Sequence, residues 1–228
     1  MERKQVNLLF KVLKIFQQQG ILNHVIIIGS WCIYFYKFYF KRKTPIIASL
    51  RTRDVDFFIP EPTSINKKID LPNILKHLGF IVDFRGEKGY MRLVHPAFFI
   101  EFLVPERGRP IDKPYSLPLG VNAQRLRFLD MLSLKTIQVK VRDIKLTLPH
   151  PSYFLLHKII IFKRRKQEKQ SKEMEQIRRL IRFLEEVKQI DSLKETYFKI
   201  HPKWRKRIIN NLKTLKEEKI IELLSAEI

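Results

Sequence analysis

The chain of 228 residues carries 45 lysines and arginines against 23 acids, a net charge of +22, with 45% hydrophobic residues and one cysteine. That length buries a real core in one large or two small domains, and the lone Cys32 excludes a disulfide framework or a cysteine-rich zinc centre. The positive excess attracts phosphate-bearing partners such as nucleic acid or nucleoside triphosphates, and with 25 basic and 12 acidic residues in 1–157 and 20 and 11 in 158–228 it belongs to the whole surface rather than to a tail.

Residues 3–19 place Val6, Leu9, Phe10, Leu13 and Phe16 at helical spacing. This charged, amphipathic start lacks the apolar core of a signal peptide. The longest apolar stretch, Val25 to Tyr36, is too short to span a bilayer and is broken by Gly29 and Ser30. A soluble, cytoplasmic protein without a membrane partner is expected.

The β-branched run HVIIIG (24–29) predicts a buried strand, and WCIYFYKFYF a helix covered on both sides. A basic loop, KRKTPIIASLRTR, leads into the strand DVDFFIP, closed by Pro60 and Pro62. A short helix over 70–78, with Pro72 in its first turn, ends at Gly79. A hairpin over FIVDFRGEKGYMRLVH precedes the strand AFFIEFLVP. RGRPIDKPYSLPLG reads as a Pro-rich loop, RFLDMLSLKT as a helix, and IQVKVRDIKLTLP as a second hairpin turning near Arg142-Asp143. After Pro149 the periodicity is helical only, with Ser152 as the expected N-cap and three to five helices to follow. The expected boundary therefore lies near residue 150.

Asp54 and Asp56 alternate on one strand, so both point to one face. Glu101 interrupts an apolar run, where a lone charge is costly to bury unless it is paired or bound to a cation. If the two strands are neighbours, three carboxylates share a face, and Mg²⁺ or Mn²⁺ would neutralise them with oxygen ligands. The competing reading is ion pairing, Asp54 with Arg51 or Arg53 and Glu101 with another base. Gly29-Ser30, between strand and helix, could bring backbone amides and a helix N-terminus to phosphate.

The order of these elements resembles the nucleotidyltransferase superfamily of the polymerase-beta type over residues 20–105. A Gly-Ser turn opening a helix, an Asp-x-Asp strand and a later acidic strand are its pattern. The resemblance implies an α+β fold: a mixed β-sheet core with flanking helices in a catalytic domain of residues 1–150, then an α-helical domain of 151–228. It gives Gly29 and Ser30 to the triphosphate and Asp54, Asp56 and Glu101 to catalysis and the metals. Arg51 and Arg53 would steer nucleotide or acceptor. One departure is the 23 residues between Ser30 and Asp54, about twice the usual spacing, so the family's common substrates need not carry over.

The segment PHPSYFLLHKIIIFKRRKQEKQSKEMEQIRRLI is similar to the region after the core in AbiEii-like and GSLR-type nucleotidyltransferases. Lys158 matches a lysine implied to contact the triphosphate, Arg164 or Arg165 the arginines, and Lys172-Glu173 a Lys-Asp pair, with Glu in place of Asp. The resemblance implies transfer of a nucleoside monophosphate from an NTP to an acceptor. The charge favours RNA, tRNA first, in the manner of toxin-like enzymes that have a protein partner of the antitoxin kind. The rival is a catalytically silent nucleic-acid-binding module or antitoxin of the same fold, which would be expected to lose one of the three acids.

Overall fold

The structure is a computed structural model that describes residues 3–41, 52–165 and 167–226. The chain divides into two compact units, Met1–Pro149 and His150–Ile228. No helix among the described residues is long and apolar enough to cross a membrane.

The first unit opens with α1 (Arg3–Gln18), whose Leu9, Phe10, Val12, Leu13 and Phe16 are buried. A short strand, β1 (Ile26–Ile28), runs directly into α2 (Gly29–Tyr39). Trp31, Phe35 and Tyr36 of α2 are fully buried, each contributing roughly 1.5–3 kcal/mol by leaving water. The Tyr36 hydroxyl donates to the Pro149 carbonyl at 2.9 Å, so the aromatic helix is also anchored by a polar bond. Cys32 is buried as well.

Six further strands and a helix complete the site-bearing part: β2 (Asp54–Phe58), α3 (Leu71–Lys76), the hairpin β3 (Ile81–Arg85) and β4 (Tyr90–Val94), β5 (Phe99–Pro105), then β6 (Tyr115–Ser116) and β7 (Asn122–Leu126). The sheet order is β1-β2-β5-β4-β3, with β7 beside β5 and β6 beside β7. It is mixed: β1 is antiparallel to β2, β2 is parallel to β5, and β5 is antiparallel to β4 but parallel to β7. Phe16 of α1 packs on Phe57 and Phe102 at centroid distances of 4.9 and 6.2 Å. That face of the sheet is the core face, and Asp54 and Asp56 alternate onto the other. A second hairpin, β8 (Thr136–Val141) and β9 (Ile144–Pro149), packs against β1 and α2.

Three expectations need correction. The helix predicted over RFLDMLSLKT is replaced by a left-handed Phe128 (φ 69) and a short 3₁₀ turn over Leu129–Ser133. The Pro-rich loop contains β6, which pairs with β7. The third concerns the helical unit, where the N-cap is His150 and not Ser152. Its Nδ1 accepts from the Ser152 amide at 3.3 Å, and Pro151 takes the first turn.

In the helical unit α4 (Pro151–Ile161) is buried along its length, and α5 (Gln167–Glu186), α6 (Ile190–Lys199) and α7 (Pro202–Leu215) pack on it. The chain closes with α8 (Glu218–Ser225), the fifth α-helix among the described residues of this unit. Asn211 and Arg207 of α7 donate to the Ile159 and Ile160 carbonyls, satisfying acceptors that the end of α4 leaves open.

Candidate active site

Neighbouring strands bring the predicted acids together. β2 and β5 lie side by side in parallel register, Asp54 opposite Phe99 and Asp56 opposite Glu101. Residues opposite one another share a face, so Asp54, Asp56 and Glu101 stand on one side of the sheet. Gln5 of α1 fixes the entrance to both strands, donating to the Thr52 carbonyl at 2.7 Å and the Ala97 carbonyl at 3.3 Å. The ladder is extended by the Phe99 amide, which donates to the Arg53 carbonyl at 2.7 Å.

Gly29 is where the helix-opening turn meets the acids. Ile28 sits opposite Asp56 across the β1–β2 pair, and the next residue, Gly29, has φ +66 and starts α2. A Cβ at Gly29 would run into the Asp56 carboxylate. Glycine is thus required twice, for its left-handed backbone and for the close approach. Gly29→Ala is expected to cost about 1–3 kcal/mol, from a left-handed non-glycine residue and a displaced Asp56. Chemical denaturation of the variant checks this. No side chain caps α2, whose N-cap is Ile28, and the half-buried Ser30 follows in its first turn.

Asp54 and Glu101 each have a neighbour that the sequence did not single out. Asp54 accepts from the Thr52 hydroxyl. Glu101, with its side chain 22% exposed, lies 3.9 Å from Arg85 Nη1 of the edge strand. Arg53 donates to the Pro96 carbonyl at 3.2 Å, and Arg51 lies outside the described residues.

Asp54, Asp56 and Glu101 offer oxygen donors of the kind hard divalent cations prefer. Among the described residues, no three His, Cys, Asp or Glu side chains stand gathered to hold a metal ion. Their oxygen chemistry is of the kind that Mg²⁺ or Mn²⁺ prefers, but as they stand the three carboxylates are not gathered about one point.

Lys158 is neither solvated nor unoccupied. Its ammonium is buried in the helical unit, donating to Glu173 Oε1 at 2.7 Å and Gln176 Oε1 at 2.9 Å. Burial alone would raise the Glu173 carboxyl, but the charge and hydrogen bond of Lys158, with Arg165 and Lys172 nearby, hold it below the usual range. The adjacent His157 is pushed down to about 3 by burial and by the cations Lys158 and Arg165. It is a buried, neutral imidazole whose Nε2 has no hydrogen-bond partner. Arg164 and Arg165 are exposed.

A family model described as "Nucleotidyltransferase" matches residues 7–201. Among solved structures, the chain is similar to an antigenic nucleotidyltransferase-like protein from Paracoccidioides brasiliensis, with 16% identity and a TM-score of 0.48 over 97% of this chain and 93% of that one. A second similarity, at 12% identity and a TM-score of 0.42, is to the antibiotic-resistance factor ANT(2'')-Ia, covering 99% of this chain and 91% of that one. No curated protein matches the sequence.

Proposed function

The chain belongs to the nucleotidyltransferase family, whose model spans most of its length, and we propose that it transfers a nucleoside monophosphate from an NTP to RNA, releasing pyrophosphate in a Mg²⁺- or Mn²⁺-dependent reaction. The observation that carries this reading is the register of Asp56 with Glu101 on adjacent strands, with Gly29 packed on Asp56. Asp54, Asp56 and Glu101 would hold the metal. A bound divalent cation would supply charge for the α-phosphate and for the attacking and leaving oxygens.

The chain's own groups do the rest. Gly29 lets the turn come close, so that the amides opening α2 and the Ser30 hydroxyl can hold the β- and γ-phosphates. Glu101, opposite Asp56, would accept the proton of the acceptor hydroxyl. Its neighbour Arg85 lies 3.9 Å from it. Arg53 and Arg51 belong to the stretch entering β2, and their charges favour approach of nucleotide or acceptor.

Within the family we read the chain as an AbiEii-like, GSLR-type member. What supports this is that the lysine and the acid of that pattern meet: Lys158 of α4 pairs with Glu173 of α5. A toxin-like role with a partner protein of the antitoxin kind rests on the same resemblance. The +22 charge supports RNA as acceptor.

The test is incubation with each of four α-labelled NTPs, Mg²⁺, and RNA, protein and small-molecule acceptors in parallel. Label is expected in RNA with at least one NTP. The preferred NTP with Mg²⁺ should also raise the melting temperature, as a ligand of the native state must. Label in no acceptor, together with no thermal shift from any NTP, would defeat the reading.

A further inference from the structure

The sheet of the first unit ends in an open edge. β3 pairs with β4 on one side and with no described strand on the other. Alternate N–H and C=O groups of an edge strand point away from its neighbour and form a template for a further strand. Native edges are commonly blunted by proline, lysine, a bulge or a covering element. IVDFR contains neither proline nor lysine, and its register with β4 runs unbroken from Ile81 to Arg85. Nor is it covered: Ile81 is 67%, Phe84 61% and Val82 38% exposed. These are three of the six exposed large apolar side chains among the described residues.

The charges of β3 are also open to a partner. Ile81, Asp83 and Arg85 stand on the acid face, since the row Ile81, Val94, Phe99 leads across the sheet to Asp54. Val82 and Phe84 stand on the reverse. Asp83 accepts from Arg92 through Oδ2, and Arg85 Nη1 lies 3.9 Å from Glu101. Neither pair is sealed from water, the Asp83 side chain being 42% exposed and that of Arg85 63%. Asp83 keeps Oδ1, and Arg85 keeps Nε and Nη2, for a second partner beyond the edge.

Two copies of one strand joined edge to edge about a two-fold axis run antiparallel. Hydrogen-bonding and non-bonding positions alternate along each copy, so residues of like parity face one another and the axis falls on a residue. An axis at Asp83 sets that acid against itself. One at Arg85 sets arginine against arginine and Asp83 against Glu87. Axes at Val82 and Ile81 set Asp83 against Ile81 and Gly79. Only an axis at Phe84 puts opposite charges together, Asp83 with the partner's Arg85 and Arg85 with the partner's Asp83. The two Phe84 rings then face each other on the reverse side, an aromatic pair of the kind that stabilises neighbouring strands.

We infer that β3 is a dimer interface, pairing with β3 of a second copy of this chain in the antiparallel register centred on Phe84. Alternation of sign along the strand repels the neighbouring registers and admits this one. The two-fold axis is perpendicular to the sheet, so the acids of both copies lie on the same side of one continuous sheet. A strand of five residues makes a small interface, below about 1,200 Å², and the dimer is accordingly weak. The inference stands apart from the transfer reading.

Sedimentation velocity of the full chain from about 5 to about 200 μM, the range suited to a small interface, is the test. Wild type is expected to shift from monomer toward dimer across it. Asp83→Arg and Arg85→Asp, each acting twice through the two-fold axis, should each weaken association about tenfold or more. Mixed in equal amounts the two variants should associate again, because each supplies the charge that the other lacks. Phe84→Asp should abolish the dimer and leave the monomer's melting temperature unchanged. Leu134→Asp, also exposed in this unit but outside β3, should dimerise as wild type does. The inference is overturned if wild type stays monomeric throughout, if Phe84→Asp associates as wild type, or if Leu134→Asp loses the dimer as well. It is overturned too if the two charge variants, each folded by circular dichroism, remain monomers when mixed.

Discussion

Replacing Asp54 and Asp56 together by asparagine is expected to abolish incorporation of labelled NTP into RNA while leaving the fold intact. A metal's stabilisation of charge at phosphorus is worth several kcal/mol, and at about 1.4 kcal/mol per decade its loss is on the order of 10³-fold in rate or more. The fold should survive for local reasons. Asparagine keeps an oxygen to accept from Thr52, the partner of Asp54. At position 56 it removes one of two carboxylates that stand opposite each other, which relieves repulsion when no cation is present. Near-unchanged circular dichroism and melting temperature would show that the lost activity is chemical. Transfer at the wild-type rate in the double variant would sink the mechanism.

The second large effect is on stability. Lys158→Met leaves the Glu173 carboxylate buried beside Gln176 without its cation. Removing one partner of a buried pair costs about 3–5 kcal/mol, a fall in melting temperature on the order of 10 °C. Lys158→Met combined with Glu173→Leu should recover most of the loss, because matched apolar side chains replace buried ion pairs at little cost. The pair of variants also separates two roles for Lys158. If the repaired protein binds NTP normally, the lysine joins α4 to α5 and does no more. If it is stable but binds NTP weakly, the lysine also serves phosphate.

The same cluster sets an acid limit. His157 titrates near 6.5 when unfolded and is held down to about 3 in the fold, so its contribution is complete above pH 6.5 and is lost as pH falls toward 3. Glu173, also depressed, loses its share below its ordinary value of 4.5. Melting temperatures measured from pH 7 to pH 4 should therefore fall, and His157→Gln should flatten the upper part of that slope.

The sequence showed the acids because strand alternation is a local rule. Asp-x-Asp must share a face wherever its strand lies, and a charge inside AFFIEFLV needs a partner. It showed both hairpins and the start of α2 for the same reason. What it could not show was adjacency. Arg85 is unremarkable in sequence and reaches Glu101 only because β4 separates its strand from β5. Thr52 and Gln5 matter through contacts that residue type alone does not announce. β6 and β7 are not legible because their strand character comes from pairing with β5 and with each other, and β6 lies inside a Pro-rich stretch. Lys158 was legible as a cation but not as a buried one, since its partners lie on the next helix.

The parallel pairing of β2 with β5 has a consequence for how the chain becomes an enzyme. The segment between them, α3 and the β3–β4 hairpin, can form from near neighbours, and a hairpin closes in roughly 1–10 μs. β2 and β5 gain nothing until that segment is in place and residues 56 and 101 meet. Contacts between distant parts of a chain are the slow ones to form. The three acids therefore come together only when the middle of the sheet closes, after the hairpin between them.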